Sequence, residues 1–343
     1  MCLDQGAVAA DEPPRDAVVG SLRAVLRATT RAMATDVTAQ LVRRAQEHAG
    51  GKDERALAAC VASALEVFHE VEAACTRFGS SSALVRTNRS PDRWHRVPRV
   101  LLDALVEAHT AHDVTGGSFD PRVERALRAL GYDRSLPFSS GDATVLALPT
   151  VRAGSRGAWR PRFRHASNEV HLRGEPVDLG GIGKGLAVRW ASARLAPLAM
   201  TYLLEAGGDC YAAGPGPDDG LGWRIAVEDP TGGEEPVAVL RVVDRAVTTS
   251  SVRLRRWRAG GKPVHHIVDP ATGRPGGAGL LSVTTVGADP ALGEVWSNSL
   301  FLAGRTRIAA LARRRGLAAL WVDEAGAIGT SDALAPYLMW RRP

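Results

Sequence analysis

Pro176-Val177-Asp178-Leu179-Gly180-Gly181-Ile182-Gly183-Lys184-Gly185-Leu186-Ala187 is the stretch on which the reading of this chain turns. A short extended lead-in reaches Asp178, four glycines fill six positions, and an apolar-periodic run continues through Trp190 and Leu195. The pattern predicts strand, tight loop, helix. Glycines let a backbone approach a ligand closely, and a helix start presents free N–H groups and the positive end of its dipole. Lys184 adds a cation, so the stretch predicts an anion site, with phosphate the first candidate. Of the 43 Lys+Arg residues only Lys52, Lys184 and Lys262 are lysines. A lysine in this loop therefore reads as a need for a compact ammonium rather than a planar fork. The alternative is a glycine-rich turn with an incidental surface lysine. A nucleoside-triphosphate P-loop fits poorly, because Gly185 stands where Ser or Thr would hold magnesium.

Working outward, 343 residues could hold one large domain or two ordinary ones. The 45% hydrophobic and 23% charged content belongs to a globular protein that can bury a core. A net charge of +6 raises the possibility of nucleic-acid binding. The densest basic groups, Arg253 to Arg258 and Arg313 to Arg315, lack regular aromatic interleaving and match no binding motif, and a general preference for arginine explains them as well. Cys2, Cys60, Cys75 and Cys210 form no CxxC pair, so neither a zinc site nor a disulfide framework is indicated. The N-terminus carries Asp4, Asp11 and Glu12 without an apolar run of signal length, and no 18-residue apolar stretch follows. The expectation is a reduced, soluble, cytoplasmic protein.

Residues 1–17 read as a flexible leader and 18–343 as one domain with no internal repeat. Arg31 to Val42 alternates as an opening strand, Gly50-Gly51-Lys52-Asp53 reads as a turn, and Glu54 to Thr76 carries Leu57, Val61, Leu65, Phe68 and Val71 at helical spacing. Within that helix Phe68 and His69 read as core and flank. Pro98 to Thr115 predicts a second helix closed by Gly116-Gly117. Asp120-Pro121 reads as the cap of a third helix over Val123 to Leu130. Leu136 to Ala166 shows no period and reads as irregular connection. Glu169 to Leu172 and Val177 to Leu179, around Arg173-Gly174, predict a hairpin feeding the glycine loop. Strands are expected at Tyr202 to Ala206, Trp223 to Val227, Val237 to Val243, Ala246 to Thr248, Leu281 to Val286 and Ala318 to Val322. Helices are expected at Pro290 to Leu302 and Thr306 to Arg314. Many strands mixed with helices, without βαβ alternation, predict an α+β fold.

Four clusters carry the chemistry: Ser118-Phe119-Asp120-Pro121, the glycine loop, His266-Ile267-Val268-Asp269-Pro270-Ala271-Thr272-Gly273, and the late helix with Glu294 and Asn298. In order and spacing they resemble the ApbE family, the FAD:protein FMN transferases. Met33-Ala34-Thr35 resembles that family's Met-Gly-Thr entry. Ser82-Ala83-Leu84-Val85-Arg86-Thr87-Asn88 resembles its Ser-x-Leu-x-Arg-x-Asn stretch. Leu204 to Asp209 is similar to its Asn-Leu-Gly-Gly-Asp strand end, and Trp223 to Pro230 to its Trp-x-(Ile/Val)-x-Ile-Glu-Asp-Pro. The likeness runs from about Met33 to about Val322.

The resemblance implies a single α+β domain of antiparallel sheets flanked by helices. It also implies transfer of FMN from FAD to a Thr or Ser hydroxyl of a target flavoprotein, with release of AMP. FAD is then a substrate, Mg²⁺ or Mn²⁺ a cofactor, and the partner a protein; nucleic acid and membrane insertion are not expected. It places Met33, Phe78, Ser118, Phe119, Asp120, Asp178, Lys184, His266 and Ile267 around FAD. Lys184 would hold phosphate oxygens and His266 would take the acceptor proton, a task that suits an imidazole titrating near neutrality. Adjacent histidines on a strand point to opposite faces, so of His265 and His266 one should be structural. The implied metal ligands are the Gly181 carbonyl, Glu294 and Asn298, the last two one turn apart on one helical face. Here the sequence departs from the family, which has Asp and Thr at those two positions, and Ala34 replaces a glycine. Two alternatives stay open: a metal-dependent FAD pyrophosphatase or FAD-binding relative with an altered metal site, and an Arg-rich nucleic-acid or interaction module.

Overall fold

Eight strands lie side by side in the order in which the chain makes them. They are β1 (Ala24–Ala32), β2 (Thr35–Arg43), β3 (Tyr202–Ala206), β4 (Asp209–Ala213), β5 (Arg245–Ser251), β6 (Leu280–Gly287), β7 (Ala318–Asp323) and β8 (Ile328–Thr330). Every neighbouring pair is antiparallel. The structure is a computed structural model describing residues 24–43, 51–134, 136, 144–145, 157–197, 201–218 and 220–343. The expected leader at residues 1–17 lies outside them, as does most of the connection between 137 and 156.

Helices fill the long insertions between strands: α1 (Gly51–Cys75), α2 (Ala83–Arg89), α3 (Arg99–Val114), α4 (Glu124–Ala129) and α5 (Gly183–Leu195) all fall between β2 and β3. After β6 come α6 (Pro290–Ala303) and α7 (Ile308–Arg315). α1, α5 and α6 cover one face of the sheet, and the predicted stripe Leu57, Val61, Leu65, Phe68 and Val71 is buried there. His69 flanks that stripe and hydrogen-bonds Thr30 on β1 at 3.0 Å. The opposite face, at the β4 to β7 end, is covered by a three-stranded sheet of Trp223–Val227, Ala238–Val242 and Leu338–Arg341. Strand alternation sorts the two layers: Cys210 and Ala212 of β4 pack toward the small sheet, Tyr211 and Ala213 toward the helices.

Several local readings change. The opening strand is broken at Met33-Ala34, which form a two-residue turn between Ala32 and Thr35 with φ of 53° and 61°. Two positive φ values in a two-residue hairpin suit the twist of the strands, but they put a Cβ-bearing alanine in the left-handed region. Gly51 to Asp53 belongs to the first turn of α1, because amphipathic burial downstream outweighs the cost of Gly51. Glu169–His171 pairs with His95–Arg96 and Arg162–Arg164, not with Val177 to Leu179. The lead-in is tied down instead by Asn88, whose amide donates to the Val177 carbonyl at 2.8 Å and accepts its N–H at 2.9 Å. One side chain thus does the work of a strand neighbour. Helix α2 and the closing strand Leu338–Arg341 were not foreseen, since both are short and draw their stability from packing.

Candidate active site

The glycine stretch, the Ser118 to Pro121 loop, the His266 to Pro270 segment and α6 meet at one cleft. Seven residues that the resemblance placed around FAD, Phe78, Ser118, Phe119, Asp120, Asp178, His266 and Ile267, line it, and so do Gly181 and Asn298, expected as metal ligands. Met33, Lys184 and Glu294 do not line it.

At the glycine stretch the chain turns on itself. The Asp178 N–H donates to the Pro121 carbonyl at 2.7 Å, joining two of the four clusters, and the Gly183 N–H donates to Leu179 at 2.8 Å. Gly185 is not a ligand-facing glycine. A Cβ there would lie 2.4 Å from the Pro290 carbonyl oxygen, so glycine is what lets α5 and α6 touch. The Gly185 N–H, free at the start of α5, donates to Oε2 of Glu294 at 2.8 Å. The anion that the helix start receives there is one of the protein's own carboxylates.

Lys184 is spent in the same way. Its ammonium donates to Asp209 and, at 3.0 Å, to Oε1 of Glu294. Burial alone would lower its pKa; the two carboxylates outweigh burial and push it up to about 12. Asp209 is fully buried at the start of β4, and its other oxygen accepts the Thr249 N–H at 2.9 Å. One ammonium faces two carboxylates, so the cluster carries an excess negative charge. Burial, reinforced by Asp209, holds the Glu294 carboxyl above its ordinary range despite Lys184.

Toward the cleft, Asn298 sits one turn beyond Glu294, and a Cβ on Gly181 would fall 2.9 Å from its amide nitrogen. No group of three or more His, Cys, Asp or Glu that could hold a metal exists among the described residues. The oxygen donors at hand are the Glu294 carboxylate, the Asn298 amide and the Gly181 carbonyl. Each carboxylate oxygen of Glu294 accepts one hydrogen bond, and an ionised carboxylate oxygen has lone pairs for a second partner. Hard oxygen ligands beside an excess negative charge fit a Mg²⁺-type ion in chemistry.

The Ser118 loop is held from below by His112. The Trp159 N–H can only donate, and it meets Nε2 at 3.1 Å; Nδ1 therefore carries the proton and donates to the Phe119 carbonyl at 3.1 Å. Asp120 does not cap α4, where Val123 holds the cap position. Its buried carboxylate instead takes the Arg122 guanidinium, at 2.7 to 3.1 Å, and the Arg122 N–H at 2.9 Å.

The two histidines part company. His265 packs edge-on against Phe301 at 5.9 Å, and burial lowers its pKa to about 4. His266 lines the cleft. Burial first, then the nearby Arg255 charge, hold it well below 6.5, so it is a neutral base at neutral pH rather than a group titrating there. Its Nδ1 lies 3.3 Å from the Arg255 carbonyl, which can only accept. Nδ1 therefore carries the proton, and Nε2 is left as an acceptor.

Among the lining residues that the sequence reading did not single out, three carry charge or a polar aromatic ring: Arg77, Tyr132 and Arg255. The Arg77 guanidinium lies 4.2 Å from the Phe78 ring centre and 4.4 Å from that of Tyr132, and pairs with Asp178. Tyr132 in turn packs at 5.2 Å against Trp257, the two rings tilted by 43°. Together with Phe78, Arg77 and Tyr132 form an aromatic and cationic end of the cleft. The third residue is Arg255. The available signals were adjacency to Phe78 for Arg77 and to the conspicuous arginine run for Arg255.

Residues 33–321 match the model of the ApbE family. The chain belongs to the ApbE family. Among its relatives, the FAD:protein FMN transferase of Salmonella typhimurium is 30% identical over 262 residues, 73% of this chain and 72% of that protein. That of Klebsiella pneumoniae is 26% identical over 260 residues, 72% of each. The crystal structure of the ApbE protein of Thermotoga maritima superposes with a TM-score of 0.74 at 25% identity, covering 93% of this chain and all of that one. The Vibrio cholerae flavin transferase ApbE gives a TM-score of 0.73 at 22% identity, which speaks for the fold. The α+β architecture read from the sequence is thus that of ApbE proteins, and no described helix is long and apolar enough to cross a membrane.

Proposed function

We propose that this ApbE chain moves FMN from FAD to a Thr or Ser hydroxyl of a target flavoprotein and releases AMP. The observation that carries this reading is His266: a neutral imidazole in the family cleft, its tautomer set by a backbone carbonyl and its Nε2 open to accept a proton. The acceptor hydroxyl gives its proton to Nε2 as its oxygen bonds to the FMN phosphorus. The bond from that phosphorus to the bridging oxygen breaks, and its electrons leave with AMP. Such a transfer depends on positioning and on charge neutralisation more than on covalent help from the protein.

The aromatic end gives the isoalloxazine a surface to stack on, with Phe78 41% exposed and available. Ser118, Phe119, Asp120, Asp178 and Ile267 complete the FAD-facing wall in this reading. Glu294, Asn298 and the Gly181 carbonyl would hold Mg²⁺ or Mn²⁺, which when bound would offset the charge of the diphosphate. Met33 stands at the β1–β2 turn, near enough to Gly183 that a Cβ there would be 3.5 Å from its methyl. It is a neighbour of the glycine loop rather than part of the cleft wall.

The test is incubation with FAD and Mg²⁺, or Mn²⁺, with and without a domain that accepts flavin. AMP is followed by chromatography and covalent flavin by in-gel fluorescence of the denatured acceptor. The proposal predicts AMP and a fluorescent acceptor together. AMP and FMN with an unlabelled acceptor would replace it by the pyrophosphatase reading, in which water takes the place of the hydroxyl.

A further inference from the structure

We infer that Arg255, and not Lys184, is the side chain that grips the FAD diphosphate and the phosphoryl group in flight; this rests on the transfer reading above. Arg255 lines the cleft beside His266, Asn298, Gly180 and Gly181. Its guanidinium makes no ion pair and no hydrogen bond among the described residues. Every other strongly placed cation in this corner is taken: Lys184 by Asp209 and Glu294, Arg77 by Asp178, Arg122 by Asp120. A partly buried guanidinium facing a cleft with no carboxylate partner is a site prepared for an anion from outside. Its fork suits two phosphate oxygens at once.

The backbone of the same residue strengthens the assignment. The Arg255 carbonyl accepts both the N–H and the Nδ1–H of His266, each at 3.3 Å. Residue 255 therefore orients the base with its main chain while its side chain reaches the cleft the base faces. Local structure explains why only this arginine of the run is so placed. Arg256 and Arg258 alternate with buried Trp257 along the strand Arg256–Ala259 and point to solvent. Arg253 pairs with Glu228. In the transfer, Arg255 makes and breaks no covalent bond. It donates to non-bridging oxygens while the hydroxyl oxygen bonds to phosphorus, the proton passes to His266 Nε2, and the electrons of the broken P–O bond leave on AMP.

The experiment compares wild type, Arg255→Ala, Arg255→Lys and Arg256→Ala in full-length protein. Binding of FAD and of inorganic pyrophosphate is read by calorimetry, and AMP release from FAD separately. Loss of a charge-assisted contact predicts that Arg255→Ala weakens both ligands by about tenfold to a hundredfold. Arg255→Lys should recover pyrophosphate better than AMP release, since it keeps the charge and loses the fork, while Arg256→Ala matches wild type. Millimolar guanidinium should restore part of the AMP release of Arg255→Ala, which a merely structural residue would not allow. Unchanged binding of both ligands in Arg255→Ala overturns the inference. A wild type that binds both ligands but releases no AMP breaks the transfer reading, and the binding arm still decides the role of Arg255.

Discussion

Two cations stand in one corner of this molecule and do opposite work. Lys184 sits in the most conspicuous motif of the sequence, yet its ammonium is committed to Asp209 and Glu294 and does not line the cleft. Arg255 sits in an arginine run that composition alone explains, yet its guanidinium faces the cleft without a partner among the described residues. The difference teaches that a charge near a glycine loop serves a ligand only if the fold leaves it unneutralised. Lys184 ties α5, α6 and β4 together, and the glycine loop is the outer surface of that knot.

The comparison breaks most visibly through the base that both cations adjoin. His266→Gln should lower FMN transfer by about 10²- to 10⁴-fold, the usual worth of a positioned general base, with little change in unfolding midpoint. A variant that transfers flavin at the wild-type rate would remove His266 from the mechanism.

Next in size is Lys184→Met, which leaves two buried carboxylates without their cation. It should cost about 3–5 kcal/mol of stability in urea unfolding, the penalty for breaking a buried charge group, whereas Arg255→Ala should leave the midpoint where it was. Equal midpoints for wild type and Lys184→Met would mean that the knot does not hold the fold.

The histidine pair gives a pH signature of intermediate size. The unfolded chain takes protons on these imidazoles near pH 6.5. The folded chain keeps His265 neutral down to about 4, and burial holds His266 well below 6.5 as well. Between those values the unfolded state binds more protons, so stability should fall as pH drops through that window and stay flat above it. Urea midpoints at pH 7.5, 6.0 and 5.0 would show it. His265→Phe should flatten part of the slope, and a slope that runs the other way would contradict the burial of both rings.

The smallest effect lies furthest from the cations. Ala34 holds φ at 61°, so Ala34→Gly should stabilise the β1–β2 turn by about 1 kcal/mol, readable as a raised melting temperature. A loss of stability there would say that the turn is not strained.

Much of the fold was legible because long elements bury long stripes: α1, α3 and α6, and strands such as Leu280–Gly287, follow their hydrophobic periods. What escaped has tertiary causes. No local pattern says that Asn88 will stand in for a strand beside Val177, or that Leu338–Arg341 will edge a second sheet. The cleft was legible in its lining, Phe78, Ser118, Phe119, Asp120, Asp178, Gly181, His266 and Asn298, because motif order carries the family's topology. Which cation is free was not legible, since neutralisation depends on carboxylates that come from residues 209 and 294, far along the chain from residue 184.

The most direct test is a crystal structure of the chain with FAD bound. The account predicts the isoalloxazine against Phe78 and the diphosphate within hydrogen-bonding reach of the Arg255 guanidinium, with Lys184 still on Asp209 and Glu294. A diphosphate held by Lys184, with Arg255 turned to solvent, would contradict it.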